Sequence, residues 1–390
     1  MHPILWTDGS SALQALPSPP PHRHVSPRAI TWLTTAASLE PLADAWQDLE
    51  ASVQHRTVLS TFDYNLVWYG QYGGGFGGET LLGTAYRAKA LVGVAPLVVR
   101  QRRIGRVPLT CVEFAAHEAY AGEFLVEDDH PDTIALFVDS LARTMTFDLL
   151  CLNGIDLTAD RFDALRQVAA RHRLAAATTD HPNAMVDLSR GYDAYLRTRT
   201  SHFRQGVKRH ARRVEAAGMP SIEGVQLSQG VEQLEAAIAR MIAINEASYK
   251  LNGQRLAECH RGFLAGLARR FGPRGMLSLP ILVLGGRDAA FVIGLVERGC
   301  FYDVTLAYDE AFEPLSPGSH LSQALLRALA AAGVSTFISH GAHEYKQHWA
   351  TALRPSPRLF LFSPSLRPAV TRFLRFTLHP LWRHLGASEP

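Results

Sequence analysis

The side chains best placed by sequence to do chemistry lie between residues 308 and 349. Gly341-Ala342-His343-Glu344-Tyr345-Lys346 follows a short apolar strand over 335–339. A lysine held in a dry cleft stabilises a developing anion far better than one in water. His343, Glu344, His340 and His320 are the candidate bases around it, and Tyr345 and Tyr308 the candidate acids. Upstream, Ser316-Pro317-Gly318-Ser319-His320 opens an apolar helix. Proline suits the first helical turn, Ser316 can cap it, and the open amides of a helix start attract anions such as phosphate groups. The same residues also describe an ordinary capped helix. Seventeen histidines are scattered along the chain, so any single one has a routine structural explanation.

These residues need strands and helices to hold them. Residues 279–284, 289–297 and 300–308 read as a three-stranded meander with turns at 285–288 and 298–299. A helix over 317–332 follows, stopped by Gly333, and then the strand 335–339. Helices over 193–217, 231–249 and 258–271 precede the meander. On its third strand, alternation points either Tyr302 or Asp303 toward the cleft, and both are candidate substrate contacts. An earlier α/β unit has helices over 41–53, 65–72, 131–145 and 159–172, with strands over 81–86, 90–100, 109–114 and 147–152. The division this predicts is a Pro-rich arm (1–28), a first unit (29–180), a second unit carrying the site (181–362) and a tail (363–390).

At 390 residues the chain exceeds one average core, which agrees with two units. Apolar residues make up 47% and charged residues 19%, the balance of a folded globular protein rather than a disordered one. The net charge of +3 does not by itself indicate nucleic acid. Cysteines 111, 151, 259 and 300 have neither metal-ligand nor disulfide-framework spacing, so no metal is expected and a reducing compartment is. Neither His22-x-His24 nor the turn at 73–78 is a ligand site, because the latter lacks the Lys-Ser/Thr of a phosphate loop. Residues 1–24 lack the pattern of a secretory signal, and no apolar run approaches the ~20 residues that cross a bilayer. The expected location is the cytoplasm, or the inner membrane face.

Two segments are strongly basic. The helix from 198 to 218 carries Arg199, Arg204, Lys208, Arg209, Arg212 and Arg213 with no acid before Glu215, opposite a narrow apolar stripe of Phe203, Val207, Ala211 and Val214. Its readings are a solvated face, a phosphate-bearing substrate held by Arg204, Lys208 and Arg212, an anionic membrane, or an RNA backbone. The tail interleaves Leu366, Val370, Phe373, Leu374, Leu378, Leu381, Trp382 and Leu385 with Arg367, Arg372, Arg375 and Arg383. It either docks on the protein's own surface or lies in a membrane interface.

The order of elements across 308–349 resembles the second domain of the CelD/BcsL-like acyltransferases (cellulose biosynthesis protein CelD family). These form a branch of the GNAT superfamily related to the Fem aminoacyl transferases. Residues 46–49, 81–105 and 201–218 occur in the order such proteins have, so the resemblance spans residues 30–362. It implies an α/β (α+β) fold of tandem GNAT-like domains, each a mixed, mainly antiparallel sheet flanked by helices. It implies an N-acyltransferase using acyl-CoA, with the donor pyrophosphate at Ser316 to His320 and Lys346 at the transfer centre. The implied acceptor is a small-molecule or lipid-linked amine of envelope, exopolysaccharide or lipid metabolism, including sphingoid-type bases. Many such proteins carry Asp four residues before the motif glycine, and here that position is Phe337. The acid's role is then absent, or has moved to His340, His343 or Glu344. Two other activities fit: a Fem-like aminoacyl-tRNA-dependent transferase, and a non-catalytic accessory protein of polysaccharide synthesis.

Overall fold

The computed structural model describes residues 29–74, 78–104, 107–116, 122–128, 132–155, 159–218, 220–225, 233–248, 257–374 and 376. The arm (1–28) with its His22 and His24, the centre of the glycine-rich turn (75–77) and the end of the tail (377–390) lie outside them.

The described strands form two sheets. The first has eight strands: β1 (Ala29–Leu33), β2 (Glu79–Arg87), β3 (Ala90–Ile104), β4 (Val107–Phe114), β5 (Leu125–Val126), β6 (Leu149–Asn153), β7 (Ala175–Asp180) and β15 (Pro357–Phe362). The second has seven: β8 (Asn183–Asp187), β9 (Ser221–Val225), β10 (Leu277–Leu284), β11 (Arg287–Glu297), β12 (Cys300–Tyr308), β13 (Thr336–Ser339) and β14 (Ala352–Arg354). Their orders, β1-β2-β3-β4-β6-β15-β7 and β9-β10-β11-β12-β13-β8-β14, correspond strand for strand. In both, an antiparallel meander ends in a parallel pair, β4 with β6 and β12 with β13. Helix α3 (Thr133–Thr144) bridges the first pair and α9 (Pro317–Ala331) the second. The fold is therefore two tandem GNAT-like units, each a mixed, mainly antiparallel sheet flanked by helices.

The units exchange a strand. Chain leaving β7 of the first sheet enters β8, which sits between β13 and β14 of the second. Chain leaving β14 enters β15, which sits between β6 and β7 of the first. The two connections cross side by side: His181 N donates to Ser356 O at 3.1 Å, and Ser356 N to Asp180 Oδ1 at 2.9 Å. The sequence-based boundary that gave residues 357–362 to the second unit is thus corrected. The apolar run Leu359-Phe360-Leu361-Phe362 is buried against the first sheet.

A continuous apolar core joins the units. Helices α1 (Ala43–Ser52) and α2 (Phe62–Tyr72) meet α7 (Leu234–Glu246), α8 (Glu258–Phe271) and one face of the second sheet through Trp46, Trp68, Tyr69, Phe263 and Phe271. Helix α8 approaches α2 closely because Gly266 faces Val67, where a Cβ would come within 2.8 Å of Cγ1. Asp63 of α2, almost wholly buried, is held by Arg270, at 2.5 Å, and by Arg274. Arg298 of the β11–β12 turn donates to the carbonyls of Val53 and Gln54 at 2.7 Å each, closing the end of α1.

Local chemistry explains one further difference. The helix expected over 193–217 is broken into α5 (Tyr192–Thr198) and α6 (Ser201–Ala216). Thr200 ends the run because its Oγ1 accepts from Phe203 N at 3.2 Å and caps α6. In the tail, α11 (Leu366–Phe373) docks on β4 and β15. Helix α4 (Ala159–Arg171) covers the first sheet beside α3.

Candidate transfer site

β12 and β13 hold the site. Phe301 and Phe337 point to the face of the second sheet that α9 covers, with their rings stacked 5.0 Å apart. Two residues on, Asp303 and Ser339 are paired on that same face by strand alternation. Ser339 Oγ donates to Asp303 Oδ2 at 2.5 Å, and Asp303 Oδ1 is buried with no hydrogen-bond partner among the described residues. The parallel pairing stops there, because Gly341 turns the chain away at φ 75°, with its N–H bonded to Asn183 Oδ1 at 2.9 Å. On β12 itself the register slips between Thr305 and Asp303, leaving a bulge at Val304 beside the point of divergence.

Lys346 lies at this divergence. It stands on the short helix α10 (Glu344–Gln347), and its Nζ donates to His340 O at 2.6 Å. Burial pulls the lysine below an ordinary lysine's pKa, and the negative Asp303 opposes the fall. The position vacated by the expected acid is filled by core: Phe337 also meets Trp349 edge-on at 5.4 Å. Across the ladder, the negative Asp303 is the acid that raises the Lys346 pKa.

The other expected catalytic residues separate. His340 is buried, which together with the Lys346 charge pushes its pKa down to about 3. So weak a base cannot take a proton near neutrality, and its contribution is the carbonyl that holds Lys346. His343, Glu344 and Tyr345 form an exposed rim; the His343 and Tyr345 rings are stacked at 6.2 Å, and Lys346 Nζ lies 5.8 Å from the Tyr345 ring centre. Tyr308 is not at the transfer point. It is five residues beyond Asp303 on β12, about 16 Å of strand, beside the start of α9, where a Cβ on Gly318 would lie 3.6 Å from its ring. Tyr302 faces the core shared by the two units, and burial with the neighbouring Cys300 raises its pKa, so it is corrected from substrate contact to core residue.

The anion site has a different detail from the one expected. Ser316 does not cap α9 with its hydroxyl; its backbone is left-handed, at φ 55° and ψ 52°. Pro317 and Gly318 are buried, Gly318 because a Cβ would press to 3.0 Å on Leu306, while Ser319 is exposed. His320 is half-buried, and burial lowers its pKa while Glu215 opposes this. It faces α6: burial, Arg209, Arg213 and His320 together lower the pKa of His210. The basic helix therefore lies across the start of α9. Lys208 and Arg212 are exposed on it. Arg204 is half-buried, and its Nη1 donates to Arg199 O at 2.5 Å, closing the end of α5. Arg199 in turn holds the carbonyl of Ala350, behind α10.

Sequence reasoning missed Ser339 and Asn183. Alternation from Phe337 signals the first. For Asn183 there is no local signal, since its role depends on the strand exchange. Among the described residues, no three His, Cys, Asp or Glu side chains are grouped to hold a metal ion, and no helix is long and apolar enough to cross a membrane.

Comparison with known proteins agrees with this geometry. Residues 201–347 match the family model described as acetyltransferase (GNAT) domain. No curated protein sequence matches. Solved structures share the fold over most of the chain. The C-terminal domain of a lysylphosphatidylglycerol synthetase from Agrobacterium fabrum aligns at TM-score 0.53 and 12% identity, covering 87% of this chain and 98% of that one. FemX aligns at TM-score 0.51 and 12% identity, covering 81% and 95%. L-PGS from Bacillus licheniformis aligns at TM-score 0.51 and 12% identity, covering 85% and 94%. Residues 201–347 thus form a GNAT-superfamily acetyltransferase domain, and the protein that carries it is an acyltransferase.

Proposed function

We propose that the protein transfers an acyl group from acyl-CoA to an amine by direct attack in a ternary complex. The observation that carries this reading is the half-buried Lys346, anchored on the His340 carbonyl at 2.6 Å where β12 and β13 part, with the open amides of α9 at the other end of β12. An extended donor fits that spacing. Its pyrophosphate would meet Ser319, the Gly318 and Ser319 amides and the flank of α6, with Tyr308 alongside. Its thioester would reach the bulge at Val304.

The amine nitrogen attacks the thioester carbonyl, and the electron pair moves to the oxygen, which Lys346 stabilises. Collapse expels the thiolate, Tyr345 protonates it, and Glu344 or His343 takes the proton lost by nitrogen. Asp303 and the His340 carbonyl position the lysine. The acceptor class that fits the CelD/BcsL-like resemblance is an amine of envelope, exopolysaccharide or long-chain-base chemistry. A test is release of free thiol from acetyl-, octanoyl- and palmitoyl-CoA in the presence of amino sugars and of long-chain bases. Thiol release that depends on the amine supports the reading, and its absence with every pair contradicts it.

One observation favours a second reading. Lys208, Arg209, Arg212 and Arg213 are exposed in a row along α6, as a tRNA-dependent transferase would need. Transfer from aminoacyl-tRNA that ribonuclease abolishes would select it.

A further inference from the structure

Helix α11 is held by one face and bare on the other. Pro368 and Thr371 are buried, and Phe376 just beyond packs on Phe360 at 5.4 Å and on Phe362 at 6.0 Å. The opposite side exposes Leu366 (78%), Val370 (41%), Phe373 (51%) and Leu374 (46%), one stripe at helical spacing. These four are most of the large exposed apolar side chains among the described residues. Docking on the protein's own surface, one of the two fates the sequence allows this tail, therefore fixes the stripe outward rather than hiding it.

The charge around the stripe has one sign. Helical geometry places the exposed Arg367 on the flank of the stripe, while Arg372 lies toward the docked side with its Nε buried; residues 363–388 contain Arg375 and Arg383 as well but no Asp or Glu. On the elements α11 packs against, the acids are engaged within the fold. Glu113 of β4 is paired with Arg102 at 2.9 Å and with Arg100 at 3.3 Å, and Asp148, ahead of β6, accepts from Thr110 N at 2.9 Å.

We propose that α11 is a docking face for an anionic lipid bilayer, with Leu366, Val370, Phe373 and Leu374 entering the interface and Arg367 meeting the headgroups. An apolar stripe rimmed by cations is the pattern of a helix lying in a charged interface. A symmetric contact with a second copy fits less well, because residues 363–388 of each copy carry charge of one sign with no acid to meet it. The inference is independent of the transfer reading, since no residue of α11 belongs to the site.

The test is co-sedimentation of the full chain with vesicles of phosphatidylglycerol and phosphatidylcholine, and with phosphatidylcholine alone. Binding to the anionic vesicles only, weakened by salt and reduced on the order of tenfold in Leu366→Gln/Phe373→Gln at an unchanged melting temperature, is the expected result. As a second variant, Arg367→Gln leaves the stripe intact and should lower the preference for anionic lipid. No sedimentation with anionic vesicles, or binding by the double variant equal to that of the parent chain, would overturn the proposal. A dimer in solution that the double variant disperses would assign the face to a second copy instead.

Discussion

Ser339 Oγ donates to Asp303 Oδ2 at 2.5 Å across the parallel pair β12 and β13, and the other carboxylate oxygen is buried without a hydrogen-bond partner among the described residues. The hydroxyl thus fixes a carboxylate whose negative charge raises the Lys346 pKa against the effect of burial. Ser339→Ala should cost about 1–3 kcal/mol of stability, because a buried carboxylate oxygen loses its donor. It should also lower kcat several-fold with little change in donor affinity. Thermal melts and steady-state kinetics on the same preparation check both.

If Lys346 stabilises the oxyanion, Lys346→Ala should lower kcat about 10²–10³-fold. The cation is required, and burial lowers the lysine's pKa. Activity should therefore fall as pH rises through a value below that of an ordinary lysine. A kcat–pH profile shows whether that alkaline limb exists. Lys346→Arg keeps a charge that does not titrate there, so whatever activity it retains should lack the limb.

His340 gives a stability prediction of definite sign. Its pKa falls to about 3 in the folded chain, so in mildly acid solution the unfolded chain binds the extra proton. The stability this group contributes is complete above the unfolded imidazole's pKa. It is lost progressively as pH falls from there toward about 3. Melting temperature against pH should decline over that window, and His340→Phe should flatten the decline.

Gly266 sets the approach of α8 to α2. Gly266→Ala would place its Cβ 2.8 Å from Val67 Cγ1, and overpacking of this kind costs about 1–3 kcal/mol. Val67→Ala in the same chain should recover part of the loss. A double-mutant cycle of melting free energies measures the coupling.

Much of the second unit was legible because its signals are local. The buried runs that became β10, β11 and β12 are separated by Gly285, Gly286 and Gly299, all at positive φ, and α9 starts at Pro317 as its sequence suggests. The turn at Gly341 that leads to Lys346 was legible from its glycine, which sits at positive φ. The contacts that fix the strand ends around it were not. Asp303 and Ser339 meet through register between strands 36 residues apart, and Asn183 arrives only through strand exchange. The bond from Arg204 to the end of α5 was not legible either, since it depends on the break at Thr200. Tyr308 and Lys346 are close to the same helix in sequence, yet the length of β12 holds them apart.

The most direct test of the account is calorimetric titration of the purified chain with coenzyme A and with acetyl-, octanoyl- and palmitoyl-CoA at low salt, in parallel with Ser319→Glu. A carboxylate in the first turn of α9 suits the helix dipole but repels a pyrophosphate. The predicted result is binding of coenzyme A and its thioesters by the parent chain, weakened about tenfold or more in Ser319→Glu at an equal or higher melting temperature. No binding of any of the four by the parent chain, or undiminished binding by the variant, would contradict the placing of the donor on α9.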